Sequence, residues 1–276
     1  MIEIRPCRGF AELEACVQLQ VETWGYDPSD VVPRKAFRVA ESIGGQVIGA
    51  FDTETDSAQQ PKPAGESNPE GGRPEALVGF ALSLPGVKTK NGKPIAYLHS
   101  HMLAVKAPYR NRGLGARMKR EQRREALSRG ISHMEWTFDP LEIKNAYLNI
   151  HRLGAIVRRY RVDFYGLSSS QLQGGLPTDR LVAEWDLDSP RVHAILEGHY
   201  AAESNVQERI LVPASIYQWK ASEADRGRAL AVQLENRRKF QQAFFEGLAV
   251  AGFSLDAVGN GIFELGPIPA GTNEAD

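Results

Sequence analysis

The chain has few cysteines, and this shortage excludes several kinds of protein. Cys7 and Cys16 are the only two among 276 residues, whereas a disulfide scaffold needs several pairs. Neither cysteine has the spacing of a metal ligand, and no histidine pair lies nearby in the sequence to complete a site. We therefore expect two reduced, buried thiols and no bound metal.

Long apolar runs and an excess of charge are also missing. No segment approaches the ~18 apolar residues of a membrane span, and the start of the chain, MIEIRPCRGF, lacks the apolar stretch of a signal peptide. The 33 basic and 34 acidic residues leave a net charge of −1, so no global field favours nucleic acid or an anionic membrane. These features predict a cytoplasmic protein that binds neither.

The length of the chain favours one core domain with a substantial addition. We place the core in residues 1–187 and the addition in residues 188–276, where the pattern of elements changes. Residues 53–75 are rich in Pro, Gly, Ser, Glu and Gln and almost free of large apolar side chains. Such a segment buries too little surface to offset its ordering entropy. It is therefore predicted to be a disordered loop, either a plain hairpin tip or a lid.

Hydrophobic periodicity predicts the order β-α-α-β-β-β-α-β-α-β-β for the core. The predicted strands are 2–7, 46–51, 76–84, 97–105, 133–138, 156–165 and 180–187, and the predicted helices are 10–24, 33–42, 115–129 and 142–153. Beyond the core, the pattern predicts a helix over 190–200, a strand over 208–212, a long helix over 223–250 and a closing hairpin over 253–265.

The most informative segment lies between the strand that ends at Val105 and the helix that begins near Gly115. It reads Arg110-Asn111-Arg112-Gly113-Leu114-Gly115. The first turn of a helix offers unpaired N–H groups and the positive end of its dipole, and glycines let a phosphate approach the backbone. This pattern is typical of a pyrophosphate site. It is not a Walker loop, because Gly-Lys-Ser/Thr is missing, and it lacks the third glycine of a dinucleotide fingerprint.

Two plainer interpretations stay open for this segment. A strand, a loop with two glycines and a helix also describe a simple tight connection. The basic residues of the following helix pair with Glu121 and Glu125 at helical spacing, which is typical of a solvated face. Whether Arg117 and Lys119 reach a ligand is therefore left open.

The segment resembles the signature of the GNAT superfamily of acyl-CoA transferases, Arg/Gln-x-x-Gly-x-Gly/Ala. The matching residues are Arg110, Gly113 and Gly115. Residues 136–155 resemble the family's next strand and helix, which end here in Leu153-Gly154-Ala155 in place of Leu-Gly-Phe. Ser100-His101-Met102 and the segment from Trp136 to Leu141 look like a subgroup of predicted GNAT proteins that has no settled substrate. The resemblance covers residues 1–187.

The resemblance implies an α/β (α+β) fold and a co-substrate. The expected sheet is mixed and mostly antiparallel, with a splayed central parallel pair (97–105 and 133–138) flanked by helices and a C-terminal α/β extension. The expected ligand is acetyl-CoA or another acyl-CoA, whose pantetheine arm would bind the strand backbone as an added strand does. The residues assigned to it are Leu103, Ala104, Val105, Arg110, Asn111, Arg112, Gly113, Leu114, Gly115, Ala116 and Asn145.

Acyl transfer to an amine needs a base, stabilisation of an oxyanion and an acid for the leaving thiolate. The family's usual carboxylate base is missing, but His99 and His101 alternate along the strand, lie on one face about 7 Å apart, and titrate near neutrality. Either is a candidate base, and the alternative is a structural histidine.

The sequence departs further from the family pattern at the position of the acid that protonates the leaving thiolate. The position of the family's usual acidic tyrosine is Ile150. Tyr147 lies one turn before it, and Asn149 can donate a hydrogen bond to sulfur but cannot act as an acid. Asp139 either orients a histidine, binds a cationic amine or simply closes an Asp-Pro turn.

Three functions remain in competition. The first is an N-acyltransferase acting on a small-molecule or protein amine, and the second is a non-catalytic acyl-CoA-binding or sensing protein. A nucleic-acid binder using the basic helix is the third, which the neutral charge disfavours. Residues 188–276 are expected to complete an acceptor pocket, to form a homodimer interface or to be a degenerate second half.

Overall fold

A computed structural model describes residues 1–56, 75–90, 92–199 and 205–268. The chain divides into two compact units. The first comprises Met1–Gly86 and Leu98–Gly130, and the second comprises Val87–Tyr97 and Ile131–Asp276. The predicted division after Leu187 stays a prediction, and residues on both sides of it belong to the second unit.

In its described residues, the first unit contains four strands and three α-helices. The strands follow the order β1-β2-β3-β4, with antiparallel pairs such as Ile4 with Ala50 and Ile48 with Ala81. Its elements are β1 (Ile2–Pro6), α1 (Gly9–Trp24), α2 (Arg34–Ser42), β2 (Gln46–Asp56), β3 (Glu75–Lys90), β4 (Lys93–Val105) and α3 (Leu114–Ser128). The far end of the β3–β4 hairpin, residues 87–97, belongs to the second unit.

Apolar side chains cover both faces of this sheet. One apolar cluster lies beneath α1 and α2, where Phe37 and Phe80 pack edge to face with ring centroids 5.7 Å apart. A second cluster lies beneath α3 and contains Leu114 and Met118. Burial of this kind is the main source of stability in a domain. Cys7 and Cys16 lie in the first of these clusters as free, buried thiols, so the prediction for them is confirmed.

The part of the second unit that the structure describes contains six further strands. Their order is β5-β7-β6-β9-β10-β8, and the pairings of β5 with β7, β7 with β6, β6 with β9, β9 with β10 and β10 with β8 are antiparallel. The elements are β5 (His133–Phe138), α4 (Ile143–Ala146), a π-helix (Tyr147–Arg152), β6 (Ile156–Arg161), β7 (Arg180–Asp186), α5 (Pro190–Leu196), β8 (Glu208–Val212), α6 (Ile216–Ala221), α7 (Arg226–Phe245), β9 (Leu248–Leu255) and β10 (Gly261–Pro267).

The predicted fold class is confirmed. The chain forms a mixed α/β structure with mostly antiparallel strands, and β4 and β5 are neighbours in strand order that run parallel, as expected for two strands joined through a helix. The predicted splay of this pair involves both units and stays a prediction. Across the described part of the chain, no helix has the length and apolar character needed to cross a membrane.

Several predicted boundaries were wrong. The long helix ends at Phe245 rather than at residue 250, because Gly247 adopts φ 81° and the following residues form β9. Strands β2 and β3 extend into the predicted disordered loop at residues 53–56 and 75, whereas residues 57–74 lie outside the described part of the chain. Pro33 caps α2 instead of opening it, α5 stops at Leu196, and α6 was not predicted.

Candidate functional site

The segment singled out in the sequence connects β4 to α3 through a short 3-10 turn, Ala107–Tyr109. The helix begins at Leu114, one residue earlier than predicted, and its N-cap is Gly113 with φ 74°. Among the described residues no side chain caps this helix, and its first turn carries no acidic residue. The first N–H groups of a helix have no partner within it, and they sit at the positive end of its dipole. This terminus is therefore suited to an anion.

The arginines of the loop have different partners. Arg110 donates from Nε to the carbonyl oxygen of Val105 at 2.8 Å and so ties the loop to the end of β4. Arg112 is exposed, with its guanidinium carbon 5.9 Å from the centre of the Tyr109 ring. Arg117 donates to the carbonyl oxygen of Ile2 at 3.1 Å. All three side chains are exposed, and Arg112 directly precedes Gly113 in the chain.

A cavity of about 230 Å³ lies beside the loop in the first unit. Sequence reasoning missed it, because its walls come from distant segments. Its two carboxylates, Asp52 and Glu54, face Arg112, Arg117 and the N-terminal ammonium of Met1, so the cavity carries charges of both signs. Its lining comprises Met1, Ile2, Asp52, Glu54, Tyr109, Arg112, Leu114 and Arg117.

Strand β4 presents half-buried and buried side chains in turn, and Leu103 and Val105 are half-buried. Its buried side chains do not all lie on one face. Ser100 accepts a hydrogen bond from α3, whereas Met102 and Ala104 belong to the cluster beneath α1 and α2. The alternation of side chains between the two faces of the sheet is therefore interrupted between Ser100 and Met102.

His99 and His101 lie together, as predicted. Their ring centroids are 6.1 Å apart with planes inclined by 40°, and both side chains are half-buried. Burial lowers the pKa of His101, because the charged imidazolium loses solvation. At neutral pH its imidazole is therefore uncharged and able to accept a proton.

In the second unit, Asp139 has two structural partners. One carboxylate oxygen accepts the backbone N–H of Leu141 at 2.8 Å, and the other accepts Lys220 Nζ at 2.8 Å. Lys220 is 6% exposed and also donates to Glu142 at 3.0 Å. These contacts favour the turn-closing role of Asp139 over a catalytic one. Lys220 lies 81 residues away in sequence, so sequence reasoning could not pair them.

The predicted helix 142–153 is a short α-helix followed by a π-helix that carries the acid candidates. Tyr147 is half-buried and stacks on His151 with ring centroids 4.4 Å apart. Asn149 is buried, Ile150 is fully buried in the core, and Asn145 is exposed. His151 was not predicted, although its position four residues after Tyr147 is a readable signal.

A cluster of buried charges in the second unit was also missed. Glu135 on β5 lies opposite Glu184 on β7, and Arg159 binds both carboxylates at 3.0 and 3.2 Å. Burial alone would raise the pKa of Glu135, but hydrogen bonds from His133 and Lys88 and the neighbouring guanidinium lower it well below its usual range. Such a network is typical of structural ion pairing.

Candidate metal ligands do not cluster: in the described ranges no group of three or more His, Cys, Asp or Glu side chains is placed to hold an ion. The predicted site residues fall into two sets. The histidines and the phosphate-binding loop lie in the first unit, whereas Asp139, Asn145, Tyr147 and Asn149 lie in the second.

Comparisons with known proteins gave structural similarities only. No family model matches the chain, and no curated protein matches it. The solved structures include Arabidopsis thaliana NAA60 in complex with a bisubstrate analogue, with a TM-score of 0.47, 17% identity and coverage of 67% of this chain and 98% of that one.

Two bacterial structures give similar values. The ribosomal-protein-S18-alanine N-acetyltransferase from Escherichia coli has a TM-score of 0.45 and 12% identity over 75% of this chain and 100% of that one. A putative acetyltransferase, yncA from Salmonella typhimurium with its cofactor acetyl-CoA, has a TM-score of 0.46 and 14% identity over 74% and 99%. Similarities this weak do not assign a family, and the functional proposal rests on the residues of this chain.

Proposed function

We propose that this protein is an acyl-CoA-dependent N-acyltransferase of the GNAT type, which transfers acetyl from acetyl-CoA to an amine by direct attack in a ternary complex. The observation that carries the proposal is the N-terminus of α3. No described side chain caps it, the short 3-10 turn Ala107–Tyr109 joins it to the end of β4, its N-cap is Gly113 with φ 74°, and the exposed Arg112 lies beside it. This combination fits the pyrophosphate of coenzyme A.

The fit extends from the loop to the strand. A Cβ built on Gly113 meets no described atom within 4 Å, so a phosphate can approach the backbone there. The N–H groups from Arg112 to Ala116 would bind the pyrophosphate, with Asn111, Leu114 and Gly115 completing the loop. The backbone of Leu103, Ala104 and Val105 would bind the pantetheine arm, and the exposed Asn145 is a further candidate contact.

The chemistry assigned to this site begins with removal of a proton from the amine. His101, kept neutral by burial, is the first candidate base, and His99 is the second. The freed amine attacks the thioester carbonyl, and the thiolate of coenzyme A leaves. Asn149 and Tyr147 are the candidates for a hydrogen bond or a proton to the sulfur, and no metal takes part.

A second function is favoured by two observations, and it is a non-catalytic acyl-CoA-binding or sensing protein. Ile150, at the position of the family's acidic tyrosine, is fully buried. Asp139 is already engaged by Lys220 and by Leu141. A binder needs the loop and the strand but neither base nor acid.

The remaining assignments belong to the same proposal. The acceptor is a small-molecule or protein amine, and nucleic acid and membranes are not partners. We place the protein in the cytoplasm and assign residues 188–276 to the acceptor pocket or to a homodimer interface.

The experiment that separates enzyme from binder is an acyl-transfer assay. Release of free coenzyme A thiol from acetyl-CoA is followed with amino acids, polyamines and peptides that carry α- or ε-amines. An enzyme releases thiol in proportion to acetylated amine, and loses this activity in the variant His99→Gln/His101→Gln while still binding acetyl-CoA. Saturable binding without turnover on any acceptor, in wild type and variant alike, would favour the binder.

A further inference from the structure

A chain of buried polar side chains lies between α3 and the sheet of the first unit. The face of α3 that meets the sheet is otherwise apolar, with Leu114, Met118 and Ala126 buried. Polar groups in such an interface need an explanation, because burying them is costly. We call this group of side chains the polar seam. Its members, with the exposed fraction of each residue, are Lys119 (2%), Gln122 (0%), Ser100 (5%), Ser83 (0%) and Gln46 (4%).

The seam begins at Lys119, and its hydrogen bonds run in one direction. Lys119 Nζ donates to Ser100 Oγ at 2.7 Å, and that hydroxyl donates to Gln122 Oε1 at 3.2 Å. Gln122 Nε2 then donates to Ser83 Oγ at 2.6 Å. The Lys119 amino group therefore starts a series in which each group donates to the next, and such series strengthen cooperatively.

The seam ends at a carboxylate. Ser83 Oγ donates to Gln46 Oε1 at 3.0 Å, and Gln46 Nε2 donates both to the backbone carbonyl of Gln122 at 2.9 Å and to the Glu125 carboxylate. Strands β2, β3 and β4 are thereby joined to α3 by side chains that satisfy one another.

Stability alone does not account for this arrangement. Taking an ammonium out of water costs several kcal/mol, and replacement of buried charges by apolar residues of similar volume is often neutral or stabilising. Burial lowers the pKa of Lys119 well below its usual range, which shows the strain on its charged form. Buried polar groups of this kind can instead specify one arrangement among several of similar energy.

The arrangement specified here is the register of α3 on the sheet. A shift by one residue moves a helix 1.5 Å along its axis and turns it by 100°. Such a shift would separate Lys119 from Ser100, and each buried polar group left unpaired would lose its solvation without a compensating hydrogen bond. An apolar interface tolerates small shifts much better. Lys119 lies five residues after the first residue of α3, and Ser100 lies five residues before the end of β4.

We propose that Lys119 and Ser100 are positioning residues for acyl-CoA: they hold the N-terminus of α3 at the one register where it and the backbone of Leu103–Val105 bind a single ligand together. The proposal rests on the proposed function, because it assigns these two elements to one co-substrate. Neither side chain touches the ligand. The effect is therefore expected on ligands that span both elements, and not on ligands that touch the loop alone.

The test compares two ligands across four variants. Acetyl-CoA reaches both the loop and the strand, whereas ADP carries the pyrophosphate without the pantetheine arm. Lys119→Met and Ser100→Ala remove the first link of the seam, Ser100→Thr keeps the hydroxyl, and Arg124→Met changes an exposed side chain of the same helix. Calorimetry gives both dissociation constants, and thermal unfolding reports the stability of each variant.

We expect Lys119→Met and Ser100→Ala to weaken acetyl-CoA binding at least about tenfold, with ADP binding changed less than about threefold. Lys119→Met should keep or raise the melting temperature, and Ser100→Thr and Arg124→Met should bind both ligands as the wild type does. Unchanged acetyl-CoA binding in the first two variants, or equal weakening of both ligands, overturns the positioning role alone. A wild type that binds no acetyl-CoA overturns the proposed function and this role with it.

Discussion

Two glycines at opposite ends of α3 allow a matched test of the phosphate-binding loop. Gly113 caps the N-terminus with φ 74°, and Gly130 follows the C-terminus with φ 75°. A Cβ built on either meets no described atom within 4 Å. Alanine at either position therefore carries the cost of a left-handed backbone and no clash, about 1–2 kcal/mol. At about 2–4 °C per kcal/mol, each variant should lose a similar few degrees in melting temperature.

Binding should separate the two variants. In Gly113→Ala the new methyl group occupies the side from which a phosphate would approach, so we expect the dissociation constant for acetyl-CoA to rise about tenfold, which is about 1.4 kcal/mol. Gly113→Glu adds a negative charge there and should weaken binding further, whereas Gly130→Ala and Gly130→Glu should bind like the wild type. Calorimetric titration well below the melting temperatures measures this directly.

Two results would contradict a phosphate-binding role for the loop. Wild-type affinity in Gly113→Glu would mean that the loop is only a tight connection between strand and helix. An equal loss of affinity in the Gly130 variants would mean that binding follows overall stability rather than the geometry of the N-terminus.

Three further predictions concern titration and ion pairing. Burial lowers the pKa of His101, so kcat/KM should decrease at acidic pH only below the usual histidine pKa of about 6.5. His101→Gln should abolish this acidic decrease in kcat/KM and slow turnover about 10²–10⁴-fold. An unchanged acidic decrease in the variant would exclude His101 as the base. Since burial also lowers the pKa of Lys119 in the folded protein, the unfolded chain binds the Lys119 proton more tightly than the folded chain does. The unfolding free energy of the wild type relative to Lys119→Met should therefore rise as the pH increases towards about 10 in denaturant titrations, and a flat difference would contradict this. Asp139→Asn should lower the unfolding free energy by about 3 kcal/mol, because it leaves Lys220 less neutralised in a buried site, with acetyl-CoA affinity unchanged; lost affinity at full stability would restore a functional role to Asp139.

The parts of the molecule that local patterns determine could be predicted. Apolar periodicity located β5 and β8 within their observed bounds, and the strand, glycine loop and helix around Gly113 follow from short-range rules of backbone conformation. His99 and His101 were placed together for the same reason, since residues two apart on a strand are neighbours.

The features that were missed depend on contacts between distant segments. Lys119 reads as one more cation of a basic helix, and only the packing of α3 shows that it turns inward to Ser100. The pairing of Asp139 with Lys220 joins residues far apart in sequence. The π-helix at Tyr147–Arg152 is a local exception, and it was missed because it has no composition of its own that distinguishes it from an α-helix.

The central claim is that the first unit binds acyl-CoA, and the most direct test is calorimetric titration of the purified full chain with acetyl-CoA and with free coenzyme A. The account predicts one site per chain with a dissociation constant on the order of micromolar for both ligands, since both carry the pyrophosphate and the pantetheine arm. Absence of binding by either ligand at millimolar concentration would contradict this claim, and Gly113 would then serve only to turn the chain before α3.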